Sequence, residues 1–244
     1  TMIVQHNMTA LNANRQLGIT NTNLSKSTEK LSSGYRVNRA ADDAAGLSIS
    51  EKMRGQIRGL EQASTNAEDG QSLIQTAEGA LSEIHSVLQR MRELTVQASN
   101  DTNVSADRKA IAKEVRALTS EINRIATQTQ FNTMGLLSGG FKNKKLQVGA
   151  NTNQTISITI SSMTAGKLGV SATVIAKVIS SSTGKDITKL ITTVNTAITK
   201  VSTQRSALGA LQNRLDHTIA NADNMAENLQ SSESKIRDVD MADE

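Results

Sequence analysis

Apolar residues recur every seven positions along the last third of the chain. A second row of positions, each three residues after a position of the first row, runs from Leu190 to Val239 and is mostly apolar or small. Heptad repetition over this length is typical of a coiled-coil helix, and about 50 such residues would span roughly 75 Å. The first row contains only apolar residues: Ile187, Val194, Val201, Leu208, Leu215, Ala222, Leu229 and Ile236.

The same repeat predicts a second long helix upstream. Its companion row contains small residues such as Ala63, Gly70 and Ala77, which would let a partner approach closely. The heptad rows of the upstream helix and of the C-terminal helix together form what we call the aliphatic seam, the surface along which these long helices pack. The upstream row is Met53, Leu60, Ala67, Ile74, Leu81 and Leu88.

A third helix is marked by Ile111, Leu118 and Ile125 at heptad spacing. Ser105 is the expected N-cap, with Asp107 in the first turn. Residues 100–103, Asn-Asp-Thr-Asn, are the expected turn before it.

The N-terminal stretch carries only half of such a pattern, with Ala10, Leu17, Leu24 and Leu31 in one narrow row. A single stripe supports a helix only if another element covers it. We therefore expect residues 2–41 to be marginal or disordered by themselves.

Between the third helix and the last one, the period changes to two. TISITI at 155–160 alternates like a half-buried strand, LQVGA at 146–150 precedes it, and residues 151–154 read as a hairpin turn. The stretch 170–178 is apolar and β-branched, which favours a strand and leaves a helix open. Residues 134–140 and 180–185 read as loops.

These patterns predict a mainly α fold, an elongated antiparallel helical bundle or coiled coil with a small inserted β-hairpin subdomain. The predicted segments are 2–41 at the N-terminus, 42–137 with two helices, 138–185 with the hairpin, and 186–244 with the C-terminal helix.

Composition narrows the class of protein further. The 244 residues contain no Cys, which excludes disulfides, and no Pro, which leaves no built-in helix breaker. Aromatic residues are 1% and hydrophobic residues 37%, too few for a thick globular core or for stacked nucleobases. The net charge of +4 comes from charges that are interspersed along the chain, so we expect no nucleic-acid partner. The sequence has no apolar run long enough to cross a membrane, so we expect no membrane partner either.

Catalytic chemistry has little support. His6, His85 and His217 are far apart, and the carboxylate pairs Asp42–Asp43 and Asp238–Asp240 read as helix-end or surface charges rather than cation ligands. Phosphate-binding glycine motifs are missing as well. We expect a protein that is not an enzyme and needs no cofactor or metal.

Two segments carry a specific resemblance. LSSGYRVNRAADDAAGLSISEKMRGQIRGL at 31–60 and the stretch from Ser202 onward, which includes ALGALQNRLDHTIANADNMAENLQ, resemble the conserved ends of bacterial flagellins. The stretches 71–100 and 147–158 are also similar, so the resemblance covers nearly the whole chain, in the style of the short flagellins of Gram-positive bacteria.

The resemblance implies a structural subunit of the extracellular flagellar filament, secreted through the flagellar type III export apparatus. The implied partners are other flagellin subunits, the export chaperone and the cap proteins. Flagellins continue beyond the segment IRDVDMADE into a further helix that covers the N-terminal one. The resemblance therefore implies that residues 2–40 lack a partner in this chain and that it polymerises poorly.

The resemblance also implies a ligand of the innate immune receptor Toll-like receptor 5. The family's receptor-binding motif corresponds to Gln89, Arg90, Leu94 and Gln97, with Glu114 on the next helix. Arg90 would present a bidentate fork and Leu94 an apolar anchor. A purely structural role, with Leu94 beside the seam and Arg90 paired to a helix neighbour, is the competing interpretation.

Two other classes of function stay open from the residues alone. One is a coiled-coil surface adhesin or scaffold, which would use the same seam. The other is a basic nucleic-acid binder, which would show salt-dependent DNA binding.

Overall fold

A computed structural model describes residues 7–181 and 184–242. Most of the described chain is helical, as the sequence predicts, and two small antiparallel sheets lie between the third and the last long helix, where the sequence predicts one hairpin. In chain order the elements are α1 (Met8–Ser33), α2 (Ala44–Ser99), α3 (Ser105–Gln128), β1 (Gln130–Phe131), β2 (Met134–Gly135), β3 (Lys144–Gln147), β4 (Thr155–Ile158), α4 (Ala165–Leu168), α5 (Ile175–Ser181) and α6 (Gly184–Arg237).

The chain divides into two compact units. The terminal unit consists of Thr1–Glu61 with Asp223–Glu244, and the central unit is Gln62–Ala222. The division runs through α2 and α6 rather than through loops, so each of these helices contributes residues to both units.

The central unit has its core along the predicted seam. Two polar pairs, Gln71 with Asp216 and Glu78 with Arg205, join α2 to α6 in antiparallel order. Nine residues of the two main heptad rows lie in this unit and are completely buried, which places them in a single aliphatic core: Ala67, Ile74, Leu81, Leu88, Ile187, Val194, Val201, Leu208 and Leu215.

The seam weakens in the terminal unit. Leu60 is buried, whereas Leu229 is only partly buried and Met225 is 47% exposed. Glu233, which the heptad rows place beside the seam, is buried there instead. Packing in this part of α6 therefore uses polar partners, which the apolar periodicity does not reveal.

The helix α1 also belongs to the terminal unit. Asn7 caps its first turn by accepting a hydrogen bond from the amide of Ala10 (3.2 Å), and Gly34, at φ +74°, ends it. None of its residues is buried, and Leu17 and Leu24 are 60% and 64% exposed. The structure thus gives a helix where we expected a marginal or disordered segment, and its stability without a covering element remains a prediction.

The turn of residues 100–103 joins α2 and α3 as predicted, but the predicted N-cap is wrong by one residue. Val104 is the N-cap, and its amide donates to the Asp107 carboxylate (3.2 Å). Valine has no side-chain acceptor, so only the Asp107 half of a capping box forms. Ser105 is the first residue of the helix instead.

The predicted hairpin is confirmed. Strands β3 and β4 pair antiparallel with Leu146 opposite Ile156, and the amide of Val148 donates to the carbonyl of Gln154 (2.9 Å) across the loop. A second hairpin was not predicted: Met134–Gly135, read as part of a loop, pairs with Gln130–Phe131. Its turn residues Asn132 and Thr133 both have positive φ, and the pair carries no glycine that would signal such a turn.

The strand favoured for 170–178 is wrong, and the helical alternative is correct for its second half. Helix α5 begins at Ile175 and buries Ile175, Ala176 and Ile179 against α3. These residues occur at helical spacing, and helical packing against α3 outweighs the β-branched composition. Of the predicted loop 180–185, the first two residues are helical and Gly184 begins α6, while residues 182 and 183 lie outside the described part.

Candidate interaction surface

The predicted receptor residues lie where α2 and α3 run side by side. The two helices are antiparallel, because Arg90 contacts Glu114 while Arg108 reaches back to the carbonyl of Ala98 (3.1 Å). Gln89, Arg90, Gln97 and Glu114 are exposed. The structure therefore brings four of the five predicted residues to one accessible region.

Arg90 is held by carboxylates on both helices. Its Nε and Nη2 atoms donate to Oε1 of Glu114 at 3.0 and 2.9 Å, and its Nη1 donates to Oε2 of Glu93 at 3.0 Å. The hydrogen bond to Glu93, followed by that to Glu114, raises the pKa of Arg90 above its usual value. Half of the Arg90 side chain remains exposed, so the guanidinium is oriented but still accessible to another molecule.

Leu94 does not have the predicted role. Its side chain is only 2% exposed and belongs to the core of the central unit, because it lies one helical turn from Met91 and Ala98 on the buried face of α2. A buried leucine cannot serve as an apolar anchor for a receptor unless the core opens. For this residue the structure agrees with the interpretation that it packs beside the seam.

Sequence reasoning missed three residues of this surface. Arg92, Glu93 and Val96 line, with Gln89 and Gln97, an open depression of about 540 Å³ on α2. Val96 is 49% exposed and is the apolar side chain available there in place of Leu94. Glu93 could have been found from its spacing, since it follows Arg90 by three residues on the same helix.

A second polar cluster lies in the terminal unit and was not predicted. The hydroxyl of Ser50 donates to Glu233 (3.0 Å), and Arg54 lies 3.5 Å from the same carboxylate. The segment after α1 contacts the last residue of α6. The amide of Arg36 donates to the carbonyl of Arg237 (2.7 Å), and the guanidinium of Arg237 lies 4.6 Å from the centre of the Tyr35 ring. These contacts join residues about 200 positions apart, a separation that no local pattern encodes.

The carboxylate pairs serve as caps and turn acceptors. Asp43 accepts from the amide of Gly46 (2.8 Å) at the start of α2, and Asp42 accepts from the amide of Arg39 (2.9 Å). The hydroxyl of Ser234 donates to Asp238 (2.7 Å). Within residues 7–181 and 184–242, no group of three or more His, Asp or Glu side chains is placed to hold a metal ion.

Comparison with known proteins gives the family. A model of the bacterial flagellin N-terminal helical region matches residues 4–142, and one of the bacterial flagellin C-terminal helical region matches residues 191–244. The chain belongs to the bacterial flagellins. It is 53% identical over 249 residues to a flagellin of Halalkalibacterium halodurans, covering all of this chain and 88% of that protein, and 48% identical to a flagellin of Bacillus subtilis, covering all of this chain and 89% of that one.

A solved structure agrees with this assignment. The crystal structure of Bacillus cereus flagellin aligns with a TM-score of 0.55 at 30% identity, over 68% of this chain and 94% of that one. The chain is accordingly a structural subunit of the bacterial flagellar filament and not an enzyme. The family match decides against the surface adhesin or scaffold and the nucleic-acid binder. In the described part of the chain, no helix has an apolar stretch long enough to cross a bilayer.

Proposed function

We propose that this filament subunit is secreted through the flagellar type III apparatus, assembles outside the cell, and binds Toll-like receptor 5 through the surface around Arg90. The observation that supports the receptor proposal is the geometry of Arg90, whose guanidinium is held by Glu93 and Glu114 and is half exposed.

The receptor site is supported by the kind of side chains it offers. Arginine is enriched among residues that dominate binding energy, because its planar fork makes several charge-assisted hydrogen bonds with little loss of freedom. Glu93 and Glu114 reduce that loss further by orienting the fork before the receptor arrives. Gln89 and Gln97 add exposed donors and acceptors, and Val96 supplies apolar area.

The receptor proposal is tested by affinity for the Toll-like receptor 5 ectodomain. Arg90→Ala should weaken binding more than about fivefold, the effect of losing a residue that contributes over about 1 kcal/mol. Arg214→Ala is the control, because Arg214 is exposed on α6 of the same unit, is not one of the residues of this surface, and makes no ion pair among the described residues. Unchanged affinity in Arg90→Ala, with intact helicity, would contradict the assignment.

Leu94→Ala separates direct from indirect effects. Removing a completely packed leucine side chain should cost about 2–5 kcal/mol of stability through the cavity it leaves. Any loss of receptor binding in this variant should therefore be accompanied by a lower unfolding temperature, whereas Arg90→Ala should unfold near the wild-type temperature.

The export route is supported by how little holds the chain folded. The sequence has no cysteine, so no disulfide has to be reduced before unfolding, and the core is a thin aliphatic seam of side chains such as Val194 and Val201. The export chaperone and the cap proteins are the partners that this route implies. Secretion of the chain by a flagellated host, and its loss when the flagellar export gate is deleted, tests the proposal.

A further inference from the structure

The helix α3 carries opposite charges on opposite flanks. Asp107, Glu114 and Glu121 follow one another at intervals of seven, and Lys109 and Arg116 form another row of the same interval. The two rows are offset by two residues, which is a rotation of roughly 200° about the helix axis. Acidic and basic side chains therefore point to opposite sides of the same helix.

The tertiary contacts show what lies beside each flank. Glu114 faces α2, where it meets Arg90. The other flank faces the α4–α5 segment: Asn123, seven residues after Arg116, accepts from the amide of Ala165 (3.0 Å), and the hydroxyl of Thr119 bonds to the carbonyl of Val170 (3.4 Å). The acidic flank thus borders α2, and the basic flank borders α5.

The basic flank has no internal counter-charge. Lys109, Lys113 and Arg116 are exposed, and none of them forms an ion pair with a carboxylate of the described residues. The adjacent helix α5 contains no acidic residue. We call Lys109, Lys113 and Arg116 the basic flank; it is a surface whose charge is left for another molecule or for solvent.

The opposite side has an excess of carboxylates. Glu83 precedes Arg90 by seven residues, so it lies on the flank of α2 that faces α3, and Glu93 pairs with Arg90 there. With Glu114 and Glu121 of α3 this makes four carboxylates, against the two guanidinium groups of Arg90 and Arg124. We call Glu83, Glu93, Glu114 and Glu121 the acidic groove; it is left with two uncompensated negative charges.

We propose that the basic flank of one subunit docks onto the acidic groove of a second copy of this chain. Two different, complementary patches on one molecule make a heterologous contact, and such a contact repeats from copy to copy instead of closing a dimer. Charge complementarity would fix which sides meet and accelerate their encounter, while contributing modestly to affinity. The inference rests on the filament role of the chain and names one of its contacts.

Charge reversal tests the pairing. The flank variant Lys109→Glu/Lys113→Glu/Arg116→Glu and the groove variant Glu83→Lys/Glu93→Lys should each raise the critical concentration for assembly about tenfold at low salt. The control Lys142→Glu/Lys144→Glu/Lys145→Glu reverses three exposed lysines, also without ion pairs among the described residues, on and beside β3. It should stay within about twofold of wild type. Circular dichroism checks that every variant keeps its helices.

A mixture gives the sharper test. In an equal mixture of the two variants, the reversed flank of one can meet the reversed groove of the other, and the native flank of the second can meet the native groove of the first. Both contacts join opposite charges, so co-assembly should return although each variant assembles poorly alone. Failure of the mixture would overturn the pairing, as would an equal defect in the control. Normal assembly of the flank variant together with lost binding to heparin, used as a polyanion probe, would identify the flank as a polyanion site instead.

Cross-linking reports the contact even where filaments do not form. Because the chain has no native cysteine, an equal mixture of the Lys113→Cys and Glu93→Cys variants under mild oxidation should give mixed dimer in clear excess over the ratio of about two to one, relative to either homodimer, that random pairing produces. The pair Lys144→Cys and Glu93→Cys is the control. An excess of mixed dimer together with a wild-type chain that forms no filaments would support the contact and contradict the assembly proposal. Dimers formed in random proportions would overturn the contact.

Discussion

The side chain of Leu146 on β3 packs directly over the backbone of Gly70 on α2. A β-carbon built on Gly70 would overlap the Cδ1 methyl of Leu146 and would lie 3.5 Å from Leu215 of α6. The glycine in the seam thus admits the hairpin, and Asn66 fastens it there by donating to the carbonyl of Gln147 (3.0 Å). From the sequence we predicted that another element approaches α2 closely at Gly70, but we expected that element to be a partner helix rather than the hairpin.

Two alanine substitutions in α2 should have different effects. Gly79 is exposed, and a β-carbon added to it would have nothing within 4 Å, so Gly79→Ala should stabilise the chain by about 1 kcal/mol through helix propensity alone. Gly70→Ala gains the same helix propensity, but the added methyl group overlaps Leu146, and this overpacking should cancel or reverse the gain in stability. Thermal unfolding of both variants measures the difference.

The Leu146→Ala background provides the control for this pair. Once the overlapping methyl is removed, Gly70→Ala should recover the stabilisation seen with Gly79→Ala. Equal effects of Gly70→Ala in both backgrounds would show that the packing of Leu146 on Gly70 is not what limits this position.

Thr133 should be replaceable by glycine with a gain in stability. It has φ +64°, a conformation that costs a β-branched residue roughly 1–2 kcal/mol, and it follows Asn132 at φ +47° in a two-residue hairpin turn. Asn-Gly is the preferred pair for such a turn. Thr133→Gly should therefore raise the unfolding temperature. Thr129, at φ −69° and with its hydroxyl bonded to Ile125, is the control site, where the same substitution should lower it.

The buried carboxylate of Glu233 should matter for the terminal unit. Glu233→Ala leaves the Ser50 hydroxyl without its acceptor and removes the partner of Arg54, which we expect to cost about 2 kcal/mol. Glu227→Ala, at an exposed position of the same helix, should stay within about 0.5 kcal/mol of wild type. Hydrogen exchange along the end of α6 would measure both, and similar protection in the two variants would contradict the role of Glu233.

The turn before α2 should open in acid. The backbone hydrogen bond from Arg39 is the main cause that lowers the pKa of Asp42 below its usual value. Desolvation opposes it, and a smaller hydrogen bond from Asn38 adds to the lowering. A lowered folded pKa means that the stabilisation is complete above the usual pKa of about 4 and is lost as the pH falls through the folded value. The amide resonances of Asn38 and Arg39 should shift over that range, and Asp42→Asn should abolish the shift.

Much of the helical architecture could be predicted because heptad spacing is a local property. Every residue of the two main heptad rows in the central unit is buried, and the hairpin turn at 151–154 lies where the alternation predicted it. Leu94 could not be assigned correctly from the resemblance. The motif indicates which residue corresponds to the family's site, but only the tertiary structure shows that its side chain is buried.

Periodicity could be read from the chain alone: which residues repeat at helical or strand spacing, and hence the helices α2, α3 and α6 and the inserted hairpin. The folded chain was needed to show which partner fills each space, such as Leu146 over Gly70, and which charges are paired, such as Arg90 with Glu114. This division arises because periodicity depends on neighbours along the chain, whereas burial and ion pairing depend on residues brought together from distant positions.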